Sequence, residues 1–232
     1  MTVADASAEQ IAARGAERGT RGRPALSDRL PRAWLFPLLV FAATWVLILA
    51  AWRVSDAAYG QGHPWTWHFL FKDASWYLRI AEHGYAAKLQ PPWNGPDAGR
   101  AAFFPLFPLL IHLAGYLTGG NYAIAGLAVS VVCGAASALG VWAVAARVRG
   151  RWVADYAVML YCVFPGAMTF GMLYSEPLAV ALSAAVLLAL LDRRWLLAGI
   201  LGAACTAERP TLIIFVAVSG VAAAQAIWAR GE

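Results

Sequence analysis

Charged residues are scarce in this chain: they make up 13% of its 232 residues, whereas hydrophobic residues make up 61%. A soluble domain carries about 25% charged residues, so this chain has too few to cover a surface in water. The composition therefore excludes an ordinary soluble domain and predicts an integral membrane protein. Eleven Trp, eight Tyr and ten Phe fit a chain with many membrane–water interfaces.

Lysine is nearly absent, with only Lys72 and Lys88, and paired cysteines and nucleotide-binding glycine motifs are missing. The net charge of +5 comes mainly from arginines that precede the first apolar run or lie in short connectors, which indicates topology signals rather than a nucleic-acid surface. Cys133, Cys162 and Cys205 lie in apolar runs without CxxC spacing and are predicted to be small buried residues. No P-loop or dinucleotide fingerprint occurs, and no metal site is predicted.

Long apolar runs predict the fold class, an all-α, multi-pass transmembrane helical bundle with about six spans. The predicted spans are Trp34–Trp52, Tyr122–Ala146, Trp152–Leu173, Pro177–Leu191, Trp195–Ala207 and Thr211–Trp228. The fifth is short, and is either a span or one arm of a broken helix with the sixth.

Arginine clusters orient these spans. Residues 1–33 are polar and Arg-rich, without an early apolar segment, and are predicted to form a disordered cytoplasmic tail before the membrane domain, 34–232. Six crossings return the connectors around Arg147 and Arg193 to the cytoplasm. The loop 53–120 is then extracytoplasmic in a cell-membrane protein. Within it, Pro105 and Pro108 favour a re-entrant or interfacial segment over a straight span.

The same loop contains the pattern of an amphipathic helix. On a helical wheel, Trp76, Tyr77, Ile80 and Ala81 gather around Asp73, with Ser75, Arg79 and Glu82 opposite. The helix is predicted to lie in the membrane interface, with a carboxylate at the centre of its apolar side. Asp73 is either the N-cap of this helix or a functional acid.

Several segments resemble bacterial members of the GPI mannosyltransferase 2 (PIG-V-like) family, in the GT-C superfamily of membrane glycosyltransferases. They are "KDASWYLRIAEHGY", "AAFFPLFPLL", "YSEPL", and "RRWLLAGILGA" leading to "ERPT". Lys72 and Glu208 depart from the family pattern. Enzymes of this type usually continue through further membrane helices, so the resemblance implies a C-terminally truncated chain.

The resemblance implies transfer of a sugar, by analogy mannose, from a polyprenyl-phosphate donor to a glycolipid, glycan or protein acceptor outside the cytoplasm. No cofactor is implied, because the lipid-linked sugar is itself the donor. Asp73 would be the catalytic base. A partner subunit would supply any missing helices, and no nucleic-acid partner is expected.

The remaining candidates are substrate-binding residues, each with a structural alternative. Four cations suit the leaving phosphate, although each could serve a headgroup, the interface or an ion pair: Arg79, His83, Arg100 and Arg209. Glu176 would bind the acceptor or act as a second acid, unless it only faces a helix dipole. Trp76 and Tyr77 would stack on sugar or belong to the aromatic belt.

Two other classes of function compete with the enzyme. A transporter or lipid-handling protein would use charges at membrane depth as a pathway, although no internal repeat is evident. A truncated, non-catalytic homologue would act as a scaffold.

Overall fold

The computed structural model describes residues 33–60, 66–85 and 98–228. Nearly all of the predicted tail and the middle of the predicted outer loop lie outside the described residues. The chain forms two units, 1–36 and 37–232, and of the first only Ala33–Phe36 are described. The described residues are helical and contain no strand, which confirms the all-α class.

Nine α-helices occupy the described residues. They are α1 Leu35–Tyr59, α2 Thr66–Phe69, α3 Ala74–His83, α4 Leu106–Gly115, α5 Tyr122–Arg149, α6 Arg151–Val163, α7 Glu176–Leu191, α8 Trp195–Glu208 and α9 Ile214–Trp228. Short 3-10 turns precede α4 and α9, and two others follow α4 and α6. Because α1 continues to Tyr59, the loop predicted to begin at residue 53 begins later.

Three helical segments are long and apolar enough to cross a membrane: Leu35–Tyr59, Tyr122–Arg149 and Pro210–Trp228. A fourth candidate span exists only if α6 and the 3-10 turn Pro165–Gly171 are taken as one broken span. Large apolar side chains such as Leu47 on α1 and Ile227 on α9 are exposed, as lipid-facing side chains would be. The protein is therefore a membrane protein with three to four candidate spans.

The predicted span Trp152–Leu173 is wrong as a straight helix. α6 ends at Val163, and the axis bends by 75° before the 3-10 turn Pro165–Gly171. Phe164 is extended, with φ −60° and ψ 142°, because a residue before proline avoids the helical region. Pro165 therefore breaks the helix.

The "FFPLFPLL" segment forms the ten-residue helix α4, about 15 Å long at 1.5 Å per residue. Pro105 occupies its N-cap and Pro108 its first turn, where a missing N–H costs no helical hydrogen bond. The prolines therefore start this helix. Its length is too short to cross a hydrocarbon core of about 30 Å.

The long helix α5 packs against α4, α6 and α7 through small residues. An added Cβ would lie 2.3 Å from Leu173 at Gly126, 2.7 Å from Phe41 at Gly134, and 2.6 Å from the Ala184 Cβ at Gly140. These glycines allow the close helix approach that the Gly/Ala/Ser-rich sequence of α5 predicts.

Charged residues that form ion pairs lie at the end of α5, in the first turns of α6 and directly after α7. Arg147 at the end of α5 pairs with Asp192, directly after α7. Asp155 in α6 accepts a hydrogen bond of 2.7 Å from the Trp142 indole and lies 3.6 Å from Arg151. The two arginine connectors predicted to share a side of the membrane therefore lie at one end of the bundle.

We expect Gly140→Ala to destabilise the protein by ~1–3 kcal/mol, because the new methyl group meets a Cβ that cannot rotate away. Gly199→Ala is the matched control: its added Cβ meets nothing within 4 Å, and alanine favours the helix. Thermal unfolding in detergent measures both. An equal Tm for the two variants would contradict the close α5–α7 contact.

Candidate functional site

The predicted amphipathic helix exists as α3, from Ala74 to His83. Its buried side is Ala74, Tyr77, Ile80 and Ala81. Its exposed side is Ser75, Arg79 and Glu82. The helical wheel therefore predicted the buried positions Tyr77, Ile80 and Ala81 and the exposed positions correctly, but not that of Asp73, which it placed at the centre of the apolar side.

Asp73 occupies the N-cap position of α3, but its side chain makes no capping hydrogen bond. Only its backbone carbonyl serves the helix, accepting hydrogen bonds from the N–H groups of Trp76 and Tyr77. The chain enters this position through Lys72, in a left-handed conformation at φ 49°. Asp73 is exposed, so the prediction of a buried carboxylate is wrong.

Tyr174 links Asp73 to the start of α7. Burial raises the pKa of the Tyr174 hydroxyl, and the negative charge of Asp73 raises it further, while a hydrogen bond with the Asp73 backbone lowers it. The charge of Glu176 also raises this pKa. The tyrosine therefore lies within electrostatic reach of both predicted acids.

Tyr77 lies one helical turn after Asp73, on the buried side of α3. Its hydroxyl forms a 2.8 Å hydrogen bond with Ser175, and its ring makes edge contacts with Phe103 and Phe107. Burial raises the pKa of Tyr77 to about 12. Because this ring is 8% exposed, it packs in the core rather than offering a face to a sugar.

Arg209 joins the start of α7 to the end of α8. Its Nη2 donates to Glu176 at 2.6 Å and to Ser175 at 3.0 Å, and its Nε donates to Glu208 at 3.2 Å. Tyr77 completes this group through Ser175. We call Tyr77, Ser175, Glu176, Glu208 and Arg209 the Arg209 cluster.

Two prolines explain why the cluster forms where helices begin and end. Pro177 fits the first turn of α7. Pro210 forces Arg209 into an extended conformation, with φ −149° and ψ 139°, and so ends α8 at Glu208. The charged side chains therefore meet at helix ends.

Glu208 is the most buried charged residue of the cluster. Its side chain has no exposed area, and its Oε2 has no hydrogen-bond partner among the described residues. The Oε2 atom of Glu176 is also buried and has no partner among the described residues, while the rest of this side chain is partly exposed. Burial raises the pKa of the Glu208 carboxyl, although a hydrogen bond with the Ser175 side chain and the Arg209 guanidinium act against this.

The other predicted cations lie further along the chain between α2 and α4. Arg79 lies over the Trp76 ring at 5.9 Å, and His83 is 3.7 Å from Glu82. Arg100 donates a 3.0 Å hydrogen bond to the carbonyl of Gly84 and so ties down the end of α3. His83 is ten residues from Asp73, about 15 Å along a helix, so these cations and Asp73 are not one compact group.

Trp76 is half-buried and lies against the backbone of Gly99, where an added Cβ would be 2.5 Å from its ring. It also stacks over Phe103 at 6.4 Å. The sequence pattern around Trp76 does not indicate this role, in which the indole holds the segment before α4 against α3.

Two open grooves lie beside the C-terminal half of α3. One, of about 400 Å³, has His83, Pro108 and His112 among its lining residues, and the other, of about 520 Å³, has Glu82 and Asn121. Neither groove is lined by Asp73 or by the Arg209 cluster. The predicted acids therefore do not line either groove.

Sequence reasoning missed two histidines with defined partners. His112 Nδ1 lies 2.7 Å from the carbonyl of Ala81 and must donate to it, because a carbonyl only accepts. His68 binds both oxygens of Asp56 at 3.0 and 3.1 Å and stacks on Trp52. Across 33–60, 66–85 and 98–228, no group of three or more His, Cys, Asp or Glu could hold a metal ion.

Comparison of the chain with protein-family models, with curated proteins and with solved structures finds no match.

We expect Ser175→Ala to cost about 2 kcal/mol of unfolding free energy, because it leaves the buried Tyr77 hydroxyl without its partner. Ser75→Ala is the control, since this hydroxyl is exposed and bonds only to a local carbonyl; its effect should stay within about 0.5 kcal/mol. Chemical denaturation measures both. Adding Tyr77→Phe to Ser175→Ala should cost less than the sum of the two single changes, and strict additivity would contradict the coupling.

Proposed function

We propose that the protein is a membrane glycosyltransferase that moves a sugar, by resemblance mannose, from a polyprenyl-phosphate donor to an extracytoplasmic acceptor. The observation that carries the proposal is the state of Asp73. Its carboxylate stands at a helix start without capping that helix, beside Tyr174 and near the Arg209 cluster. A general base needs a carboxylate whose oxygens are not already occupied by other hydrogen bonds.

The proposed topology has six crossings, a cytoplasmic N-terminus and an extracytoplasmic segment from about residue 60 to Gly120. It is supported by the two ends of α7, whose sixteen residues correspond to about 24 Å. The arginine connectors gather at one end, and Glu176 with Arg209 lies at the other. Arginine-rich connectors favour the cytoplasm.

In the proposed reaction, Asp73 accepts the proton of the acceptor hydroxyl as that oxygen attacks the anomeric carbon of the sugar. The bond from this carbon to the phosphate oxygen breaks, and polyprenyl phosphate leaves with the electron pair from the opposite face. The product is a glycoside of inverted configuration. The proton remains on Asp73 until the product departs.

Arg209 is the proposed contact of the leaving phosphate. Its Nε and Nη2 are engaged by the cluster, whereas Nη1 makes no hydrogen bond to a described residue, and guanidinium matches phosphate oxygens well. Arg79, His83 and Arg100 are proposed to contact headgroups or the lipid phosphate further along the interface. A partner subunit would supply any further helices that enclose the lipid.

One observation favours a non-catalytic, scaffolding role instead. Arg209 is held by two carboxylates, as a purely structural ion pair at a helix break would be. Activity measurements separate this second candidate from the first.

We expect Asp73→Asn to lower transfer from polyprenyl-phosphate mannose by at least ~10²-fold, because the amide cannot accept the hydroxyl proton. The variant should fold normally, since the side chain makes no capping bond. Glu82→Gln, an exposed acid on the same helix, is the control and should keep the parental rate. Near-parental transfer by Asp73→Asn would refute the base, and no transfer by the parent protein would support the scaffold.

We expect cysteine labelling to place α3 and the second arginine connector on opposite sides of the membrane. Ser75→Cys should react with an impermeant maleimide added to intact cells, and Arg194→Cys should react only after the membrane is opened. Both positions are exposed, and the native cysteines are buried. Labelling of both from the same side would contradict the topology.

A further inference from the structure

Two buried carboxylate oxygens in the Arg209 cluster lack a hydrogen-bond partner among the described residues. They are the Oε2 atoms of Glu208 and Glu176. Glu208 is only 3% exposed, so bulk solvent has little access to this carboxyl group. Burying an ionised oxygen without a hydrogen-bond donor costs free energy. A state in which Glu208 and Glu176 are both ionised is therefore unfavourable.

Counting the charges near Glu208 reveals a deficit of one positive charge. Arg209 is the neighbouring cation, and Glu176 is a second anion from the start of α7. The remaining groups that face Glu208 are Ser175 beside α7, Tyr77 from α3, Cys205 from α8 itself and Cys133 from α5. These four are neutral at physiological pH, so two carboxylates and one guanidinium leave the cluster with a net charge of −1, and Glu208 is its fully buried member.

We propose that the Arg209 cluster is a proton-binding site, in which Glu208 holds one proton and shares it with Glu176. This proton removes the net charge. It also makes the Oε2 of Glu208 a hydrogen-bond donor, for which the Oε2 of Glu176 is the proposed acceptor. Both carboxyl groups already bind the same guanidinium through their Oε1 atoms, so they are neighbours across a single side chain.

A proton fits this site better than a metal cation does. Metal cations such as Ca²⁺ need six or more oxygen ligands, and the described residues contain no group of three or more His, Cys, Asp or Glu that could hold one. Two carboxyl groups that share a site commonly bind a single proton. The inference is independent of glycosyl transfer and stands or falls separately from it.

Infrared spectroscopy tests the proposal directly on the full chain in dodecyl maltoside, a detergent without a carbonyl group. At neutral pH exposed carboxyl groups are ionised, so a carbonyl band of a neutral carboxylic acid reports a protonated buried site. We expect this band in the parent protein and its loss in Glu208→Gln. Asp155→Asn is the matched control and should keep the band, since this carboxylate is fully engaged by Trp142 and Arg151.

A second measurement covers the case in which Glu208→Gln alters folding. Glu176→Gln removes the partner of the proton and should shift the frequency of the band without abolishing it. Because burial raises the pKa of Glu208, its contribution to stability is present at low pH and is lost as the pH rises through the pKa of the folded state. Tm should therefore fall over this range in the parent protein and fall less in Glu208→Gln.

Three results would overturn the proposal. They are the absence of a carboxylic acid band at neutral pH, a band that survives Glu208→Gln unchanged, and a band that sodium chloride removes while choline chloride at equal ionic strength does not. The last would make the site one for a metal cation rather than for a proton.

Discussion

The guanidinium of Arg209 is the group on which the polar end of this bundle depends. It binds Glu176 at the start of α7 and Glu208 at the end of α8, two helices that run in opposite directions. Through Ser175 the same group reaches Tyr77 and holds α3 against the bundle. Truncating Arg209 would leave the buried Glu208 carboxylate without its cation, which costs far more than replacing both members of the pair. These contacts therefore fix the relative positions of α3, α7 and α8 together.

The packing of the apolar part follows a different rule. Burial of apolar surface contributes little to the free energy of helix association in a membrane, because the lipid tails are also apolar. Close packing of small residues stabilises the association instead. The glycines of α5 make this contact possible against Leu173, Phe41 and Ala184. Specific polar bonds then occur mainly at the two ends of α7, where Arg147 pairs with Asp192 and Arg209 with Glu176. The bundle therefore has an apolar middle between two charged ends.

Local patterns explain which parts of this structure the sequence could predict. The face of α3, the helical class and the starts of α5 and α8 depend on periodicity and on nearby polar or proline residues. The bend at Phe164 was missed because the apolar run continues across Pro165 without a change in composition. The Glu176–Arg209 contact was missed because it joins residues 33 positions apart. The exposure of Asp73 was missed because a helical wheel gives a direction but does not show what covers it.

The charge of the Arg209 cluster links the two proposals physically. With both glutamates ionised, the cluster is net negative and would repel an approaching phosphate even though Nη1 of Arg209 is available. With one proton on Glu208 the cluster is neutral, and the guanidinium can offer a hydrogen bond to an anion without that opposition. Asp73 lies outside this pair of carboxylates and acts on Tyr174 instead. The acid proposed to accept a proton from the acceptor is therefore distinct from the acid proposed to hold a proton beside Arg209.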